Sequence, residues 1–312
     1  MTLNYPYILI LFLILIFSAC QTSVTPLTDT PTSGSVSIGS DENFLPIIDA
    51  QHRVFEKIYT HATITIDYAS EREIINAFMQ DSIQLAILSR PLTFEELQYF
   101  KPYGFTPRTT KIAYDGIALI THPKNKDSML TFTQLQEILN GKVTKWQQIN
   151  PKAALADIQI IFDNANSSTI RHIKDSVLFN QPLSKNIYAL HNNTEVVEYV
   201  SNNANSLGII GVNWVSDFQD SLSINFLQKI KVISLAPNEN QKGYGNFYQP
   251  FQSYIATKEY PLCRTLYAIS REPRQGLATG FAAFLASDRG QRIILKSGLV
   301  PATMPIRLVN VN

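Results

Sequence analysis

KIAYDGIALIT, residues 111–121, is a long apolar strand with one polar interruption, at Tyr114-Asp115-Gly116. Shorter apolar strands alternate with helical patterns on both sides of it, which is typical of a parallel or mixed α/β sheet. The two flanking parts have similar organisation. We therefore predict an α/β protein of two lobes joined by long hinge strands, with a ligand in the crevice between the lobes.

The predicted elements follow from apolar periodicity and from helix-capping signals. Residues 36–113 and 256–312 are assigned to lobe 1, and residues 114–255 to lobe 2, each a mixed sheet flanked by helices. The predicted strands are 36–38, 63–68, 83–88, 111–121, 158–162 and 207–212, with residues 252–270 rich in strand. The predicted helices are 44–59, 169–179, 276–297 and those that begin at Ser70-x-x-Glu73, Thr93-x-x-Glu96 and Thr131-x-x-Gln134, the last ending at Asn140-Gly141.

Four polar corners follow apolar strands and lie at or near helix starts. A helix start has unpaired N–H groups and about half a positive charge, so it can hold an anion. One such corner means little, because Ser and Thr are common N-cap residues. Four of them, one with an arginine, predict an enclosure for a small oxyanion. The corners are Gly39-Ser40-Asp41, Ala69-Ser70-Glu71, Leu88-Ser89-Arg90 and Asn166-Ser167-Ser168-Thr169.

The composition and motifs argue against several other classes of function. The formal net charge of the 312 residues is +1, which favours neither nucleic acid nor an anionic membrane surface as a partner. The chain has no nucleophile elbow and no phosphate loop of the G-x-x-x-x-G-K type, and its histidines lack metal-ligand spacing. We therefore predict a monomeric binding protein without catalytic residues, metal or cofactor.

The N-terminus predicts export and lipid attachment. An apolar run over residues 7–17 precedes Ser18-Ala19-Cys20, and it is short for a membrane span but suits a signal-peptide core. The ending resembles a bacterial lipobox, in which Cys20 receives lipid. We predict a lipoprotein signal peptide over residues 1–19 and a flexible tether over residues 20–35, which are rich in Thr, Ser and Pro. An uncleaved N-terminal anchor is the alternative, and both place the rest of the chain outside the cytoplasm.

Five motifs, in order along the chain, resemble the phosphate-binding proteins of bacterial ABC transporters, the PstS-like family with the type II periplasmic binding protein fold. The resemblance covers roughly residues 36–303. The motifs are the hinge strand Lys111–Pro123, the helix and turn Leu130–Trp146, the strand Leu207–Val212, the return strand Tyr260–Tyr267, and the C-terminal helix and exit Phe281–Pro301.

The resemblance also implies ligand-binding positions. Gly39, Ser40 and Asp41 correspond to the first phosphate loop, Ser70 to the second, and Ser89-Arg90 to a corner with Arg90 as the main charged donor. Ser167, Ser168 and Thr169 correspond to a triplet "S-G-T" at a helix start. Asp163 occupies a position where many members have an arginine, and Gln84 and Ser168 also differ from the family pattern.

Selection of phosphate also needs an acceptor, because phosphate carries at least one proton near neutral pH and sulfate does not. The candidate acceptors are Asp41, Glu71, Asp115 and Asp163, with ordering of the hinge as the alternative role of Asp115. The resemblance implies a lipoprotein on a bacterial membrane, on the periplasmic side, that captures inorganic phosphate or a similar tetrahedral oxyanion for an ABC permease. A sensor or envelope interaction subunit that delivers no solute is the main alternative, and a secreted phosphatase-like hydrolase is a third.

Overall fold

The computed structural model describes residues 29–153 and 157–304. The strands are β1 (Ser33–Asp41), β2 (His61–Ala69), β3 (Leu85–Leu88), β4 (Arg108–Thr121), β5 (Met129–Thr131), β6 (Gln159–Phe162), β7 (Ile187–Ala189), β8 (Ser206–Gly211), β9 (Lys231–Val232), β10 (Ser234–Ala236), β11 (Cys263–Ser270) and β12 (Val300–Pro301). The main sheet has ten of them, in the order β2-β1-β3-β11-β4-β8-β6-β7, with β9 and β12 also paired to β4. Strands β5 and β10 form a separate parallel pair.

Helices separate most of these strands, as the alternating pattern predicted. The α-helices are α1 (Leu45–Ile58), α2 (Glu71–Met79), α3 (Phe94–Gln98), α4 (Phe132–Leu139), α5 (Trp146–Ile149), α6 (Ser168–His172), α7 (Asn193–Asn202), α8 (Ser221–Lys229), α9 (Gln252–Ala256), α10 (Leu277–Ala286) and α11 (Asp288–Lys296). Short 3₁₀-helices cover Glu42–Phe44, Lys101–Tyr103 and Val212–Trp214, and a π-helix, Ile173–Val177, continues α6. Within the described residues, no helix has both the length and the apolar character needed to span a membrane.

Strand β4 joins the two halves of the sheet. Its first part pairs antiparallel with β11 as far as Gly116, and from Ile117 onward it pairs with β8. The predicted boundary after residue 113 lies just before this change of partner. The long apolar strand seen in the sequence is therefore shared by both lobes, and Asp115 lies beside the point where it passes from one to the other.

Each half has its own packed aromatic residues. On the side of β1 and β2, the Phe55 ring lies 5.2 Å from that of Phe281 and 5.3 Å from that of Phe284, both at steep angles. On the other side, the fully buried Trp146 donates from Nε1 to the carbonyl oxygen of Asn205 at 3.0 Å. These rings belong to one apolar core that runs through both halves, and their burial stabilises the fold.

The structure confirms the predicted helix signals. Capping boxes are present at Ser70, Thr93 and Thr131, and in each the side chain three residues later accepts from the cap backbone. Helix α4 ends at Leu139 with Asn140 as its C-cap, and Gly141 follows with a φ of 83°, a left-handed conformation that glycine adopts without strain.

Two sequence predictions need correction. Residues 33–35, assigned to the tether, form the first part of β1, and Asp29 accepts from the backbone N–H of Leu277 at 2.9 Å. The strand thus starts before residue 36, because polar side chains do not prevent backbone pairing, here with β2. Residues 252–256, predicted as strand, form α9, since a short apolar run does not distinguish a strand from a helix. The signal peptide, Cys20 and the tether as far as residue 28 lie outside the described residues.

Candidate functional site

The end of β1 supplies the first part of the site. Asp41 is fully buried, and its Oδ1 accepts from both the backbone N–H (2.9 Å) and Nδ2 (3.0 Å) of Asn43. Its Oδ2 accepts from the backbone N–H of Ser168 at 3.1 Å, which is a contact between the lobes. The Asp41 carboxylate thus occupies the anion-accepting position at the start of α6. Gly39 has a packing role, because a Cβ there would lie 2.6 Å from Cδ1 of Ile83.

Asn43 connects this corner to the opposite lobe. Its Nδ2 donates to Oδ2 of Asp163 at 2.6 Å, and its Oδ1 accepts from Oγ1 of Thr169 at 2.9 Å. Its carbonyl oxygen accepts from Nδ2 of Asn213 (2.7 Å) and Nε1 of Trp214 (3.0 Å). The buried Asn43 side chain is therefore hydrogen-bonded to Asp163 and Thr169, two residues that the sequence predicted would face a ligand.

Asp163 binds another member of the predicted triplet, Ser167. Its Oδ1 accepts from Oγ of Ser167 at 2.7 Å, and Ser167 also caps α6 by accepting from the N–H of Ile170. Asp163 is buried at the end of β6, so its carboxylate competes with any anion for the same hydroxyl groups. Ser40, by contrast, donates only to the carbonyl oxygen of Asp41, at 3.1 Å.

The hinge strands contribute one buried ion pair. Arg264 on β11 lies opposite Asp115 on β4 in the sheet register, and its Nε donates to Oδ2 of Asp115 at 2.8 Å. Its Nη1 donates to Oγ of Ser168 at 3.1 Å, and the guanidinium lies 4.7 Å from the centre of the Phe44 ring. Among the described residues, no group accepts a hydrogen bond from its buried Nη2. Arg264 thus links the hinge directly to the start of α6.

A second set of contacts between the lobes is centred on Glu71 at the start of α2. Arg171 on α6 donates to this carboxylate from Nε and from Nη2, the latter at 3.1 Å to Oε2. Ser89 Oγ donates to Oε2 at 3.1 Å and accepts from Nη2 of Arg171 at 2.6 Å. Nε of Arg90 lies 3.6 Å from Oε1 of Glu71, but both Nη atoms of Arg90 donate to Glu96 at 2.7 Å. The fork of Arg90 is therefore committed to an internal pair.

A cavity of about 410 Å³ opens beside Glu71 between the lobes. Its lining includes four cationic residues, and Asn166 and Ser167 from the fourth predicted corner. The cationic residues are Arg72, Arg90, Arg171 and Lys174. Glu71 and Glu96 are the acidic residues of the lining, so the cavity favours an anion.

Burial raises the pKa of the carboxyl groups in this region. The pKa of Asp163 rises to about 6, first through burial and then through the charge of Asp41. The pKa of Asp41 is raised by burial and by Glu71, and that of Asp115 by burial against the opposing effect of Arg264. The pKa of Glu42 rises to about 7, mainly through burial, although Nδ2 of Asn193 donates to it at 2.6 Å. Each of these groups therefore takes up a proton more readily than an exposed carboxyl group does.

The raised pKa of Glu42 predicts a stability that falls as pH increases. A carboxyl group whose pKa is higher in the folded chain than in the unfolded one stabilises the fold at low pH, and this contribution disappears between about pH 4.5 and pH 7. Glu42→Gln should remove that loss and leave the variant more stable than the wild type at pH 8 by up to about 3 kcal/mol. Urea unfolding at pH 5 and pH 8 measures this difference. The exposed Glu198→Gln is the control, and an unchanged pH slope in Glu42→Gln would contradict the prediction.

The structure brings together most of the predicted residues, in two adjoining groups. Asp41, Asp163 and the triplet 167–169 form one group with Asn43, while Ser89, Arg90 and Glu71 form the other with Arg171. Ser70 lies beside the second group, but its hydroxyl donates to Glu73 within the capping box, at 2.6 Å. The ligand roles of all these residues stay predictions.

Three important residues were missed by the sequence reasoning. Arg171 could have been found, because it lies four residues after Ser167 and thus on the same face of α6. Arg264 could be recognised only as part of the return-strand motif Tyr260–Tyr267. Its role in the site was not visible, because its partner Asp115 is distant in sequence. Nothing in the sequence marked Asn43. Within residues 29–153 and 157–304, no group of three or more His, Cys, Asp or Glu side chains could hold a metal ion.

Comparison with known families decides the classification of this chain. A model of the PBP superfamily domain matches residues 25–289. The chain belongs to the PBP superfamily. This superfamily is one of solute-binding proteins, and the two-lobed architecture described above is its fold.

Curated relatives within the PBP superfamily extend over nearly the whole chain. The phosphate-binding protein PstS of Borreliella burgdorferi is 26% identical over 298 residues, covering 92% of this chain and 97% of its own length. PstS of Pseudomonas aeruginosa is 22% identical over 284 residues, covering 86% of this chain and 83% of its own. The resemblance seen in the sequence motifs is thereby confirmed.

Solved structures share the same fold. A putative phosphate ABC transporter substrate-binding protein from Clostridium perfringens, solved with bound phosphate, superposes with a TM-score of 0.72 at 24% identity. It covers 86% of this chain and all of its own. An ABC-type phosphate transport receptor from Vibrio cholerae gives a TM-score of 0.63 at 19% identity, also covering 86% of this chain and all of its own. At these identities the likeness establishes the fold of this PBP-superfamily chain.

Proposed function

We propose that this chain is an extracytoplasmic solute-binding lipoprotein that captures inorganic phosphate, or a similar tetrahedral oxyanion, between its lobes. The observation that carries the proposal is the cavity between the lobes, where four cationic side chains adjoin the predicted corners. Relatives named as phosphate-binding proteins over most of the chain support the same ligand. An ABC permease is the partner that receives the anion, and a lipid on Cys20 is the membrane anchor.

The charge arrangement differs from that implied by the family resemblance, but it keeps a cation in the site. Asp163 occupies the arginine position before the triplet, whereas Arg171 lies one helical turn after Ser167. A guanidinium fork can hold two oxygens of one anion, and the side chain of Arg171 already holds a carboxylate in this way. Arg171 therefore takes the role that the missing arginine would have had.

An acceptor at the cavity provides selectivity for phosphate over sulfate. Asp163 accepts the hydrogen of Ser167, which lines the cavity, so the Ser167 oxygen can accept from a protonated oxyanion, whereas sulfate has no proton to donate. We expect sulfate to bind at least about tenfold more weakly, which corresponds to about 1.4 kcal/mol. The groups that hold the lobes together then differ between loaded and empty protein, which is a difference that the permease can recognise.

Calorimetry of the purified full chain in mild detergent tests the proposal. Inorganic phosphate should bind with micromolar or lower dissociation constant, and Arg171→Gln should weaken binding at least about tenfold because a charged fork becomes a neutral amide. The exposed Arg289→Gln is the matched control. Absence of heat with phosphate, under conditions where the chain is folded, would refute the proposal.

A second candidate function is a sensor or envelope interaction subunit that delivers no solute. It is favoured by the hydrogen bonds of the triplet, because Ser167 donates to Asp163 and Thr169 donates to Asn43. Neither hydroxyl is then directed at a ligand. This candidate predicts no binding of phosphate, sulfate or arsenate in the same calorimetric experiment. Any of these anions binding at micromolar concentration would exclude it.

A further inference from the structure

The Glu71 carboxylate lies where the donors of two lobes converge. It is buried, and Arg171 from one lobe and Ser89 from the other both donate to it. Arg90 lies 3.6 Å away. The Arg171 guanidinium and the Ser89 hydroxyl form a donor set suited to an oxyanion, and here a side chain of the protein fills it.

Helix capping does not explain this placement. The N-cap function at the start of α2 is performed by Ser70 together with Glu73, whose side chain accepts from the Ser70 backbone at 3.0 Å. Glu71 is free of that role, and it instead reaches across to α6. The lobes also touch beside it, where the backbone N–H of Arg72 donates to the carbonyl oxygen of Asn166 at 3.5 Å.

We infer that Arg171 and Ser89 are the principal anion-binding residues and that the Glu71 carboxylate is a competitor of the anion for their hydrogen bonds. This rests on the proposed function. In the empty protein the Glu71 carboxylate occupies the anion position and holds the lobes together. An incoming tetrahedral oxyanion takes over the donors of Arg171 and Ser89, and Glu71 leaves them. The competitor lowers affinity for every anion that uses these donors.

The effects of substitutions on anion binding distinguish a competing Glu71 from a Glu71 that only forms a structural ion pair. Loss of either partner of a structural pair would affect anion binding in the same direction. For a competitor, the two changes have opposite effects: Arg171→Gln removes a donor and weakens phosphate binding, whereas Glu71→Gln removes the competitor and strengthens it. Gln has nearly the shape of Glu and can still accept from Ser89, so the fold is retained.

The test combines calorimetry with inorganic phosphate and amide hydrogen exchange without phosphate, both on the full chain. We expect Glu71→Gln to bind phosphate about tenfold more tightly than the wild type, and its residues 166–172 to exchange faster because the lobes part more readily. The exposed Glu198→Gln is the control and should match the wild type in both measurements.

The outcomes distinguish this inference from the function on which it rests. If both proteins bind phosphate but Glu71→Gln binds it equally or more weakly, Glu71 is not a competitor, and the proposed function stands. If exchange over residues 166–172 is unchanged in Glu71→Gln, Glu71 does not hold the lobes together, and the inference is overturned. If neither protein gives heat with phosphate, the proposed function itself fails.

Discussion

Arg264→Met should lower the free energy of unfolding by about 3 to 5 kcal/mol. Arg264 is the partner of Asp115, and both side chains are almost completely excluded from solvent. Without the guanidinium, a carboxylate on the hinge strand would remain buried and uncompensated. Its raised pKa already reflects burial that Arg264 only partly offsets. Urea unfolding at pH 7 measures the loss.

A second variant tests whether the unpaired charge is the cause. Arg264→Met combined with Asp115→Asn removes both charges, and it should recover a large part of the lost stability. Arg289→Met, which replaces an exposed arginine, should change the unfolding free energy by less than about 0.5 kcal/mol. A loss below about 1 kcal/mol in Arg264→Met would show that the pair contributes little and that water reaches Asp115 in the hinge.

Phe281→Ala should also cost about 3 to 5 kcal/mol of unfolding free energy. Phe281 on α10 is fully buried, and its ring packs edge-on against Phe55 of α1 at 5.2 Å. Truncation removes the apolar contact and leaves a cavity that the surrounding sheet cannot fill. Because α10 packs against β4 and β11, the loss also loosens the strands that carry Asp115 and Arg264.

An exposed phenylalanine provides the control for this prediction. Phe94 at the start of α3 is 70% exposed, so Phe94→Ala should alter the unfolding free energy by less than about 0.5 kcal/mol. Differential scanning calorimetry of both variants gives the comparison. Equal effects of the two substitutions would mean that the ring of Phe281 is not part of a rigid core.

Several local features could be predicted from sequence because their causes are local. The capping boxes at Ser70, Thr93 and Thr131 depend on side chains three residues apart, and all three are present in the structure. The end of α4 at Asn140-Gly141 follows from the freedom of glycine to adopt positive φ. The long strand through Asp115 was evident from its apolar run, as was the alternation of strands and helices. The family resemblance added the lobe order.

The partners of the site residues could not be predicted, because they depend on contacts between distant parts of the chain. Arg90 is the residue type expected of an anion donor, but both of its Nη atoms donate to the nearby carboxylate of Glu96. Arg171 reaches the site because α6 and α2 meet across the cleft. Asn43 connects the lobes by hydrogen bonds to Asp163 and Thr169, which the sequence predicted would contact a ligand.

Residue pattern alone specifies the α/β class, the position of the shared strand and the polar corners at strand ends, since these arise from periodicity and short-range hydrogen bonding. Which acids and cations meet between the lobes depends on how the folded chain packs. Charges separated by a hundred residues or more interact strongly only after folding removes the water between them. Packing of the two lobes is what places Glu71 against Arg171 and Asp41 at the start of α6.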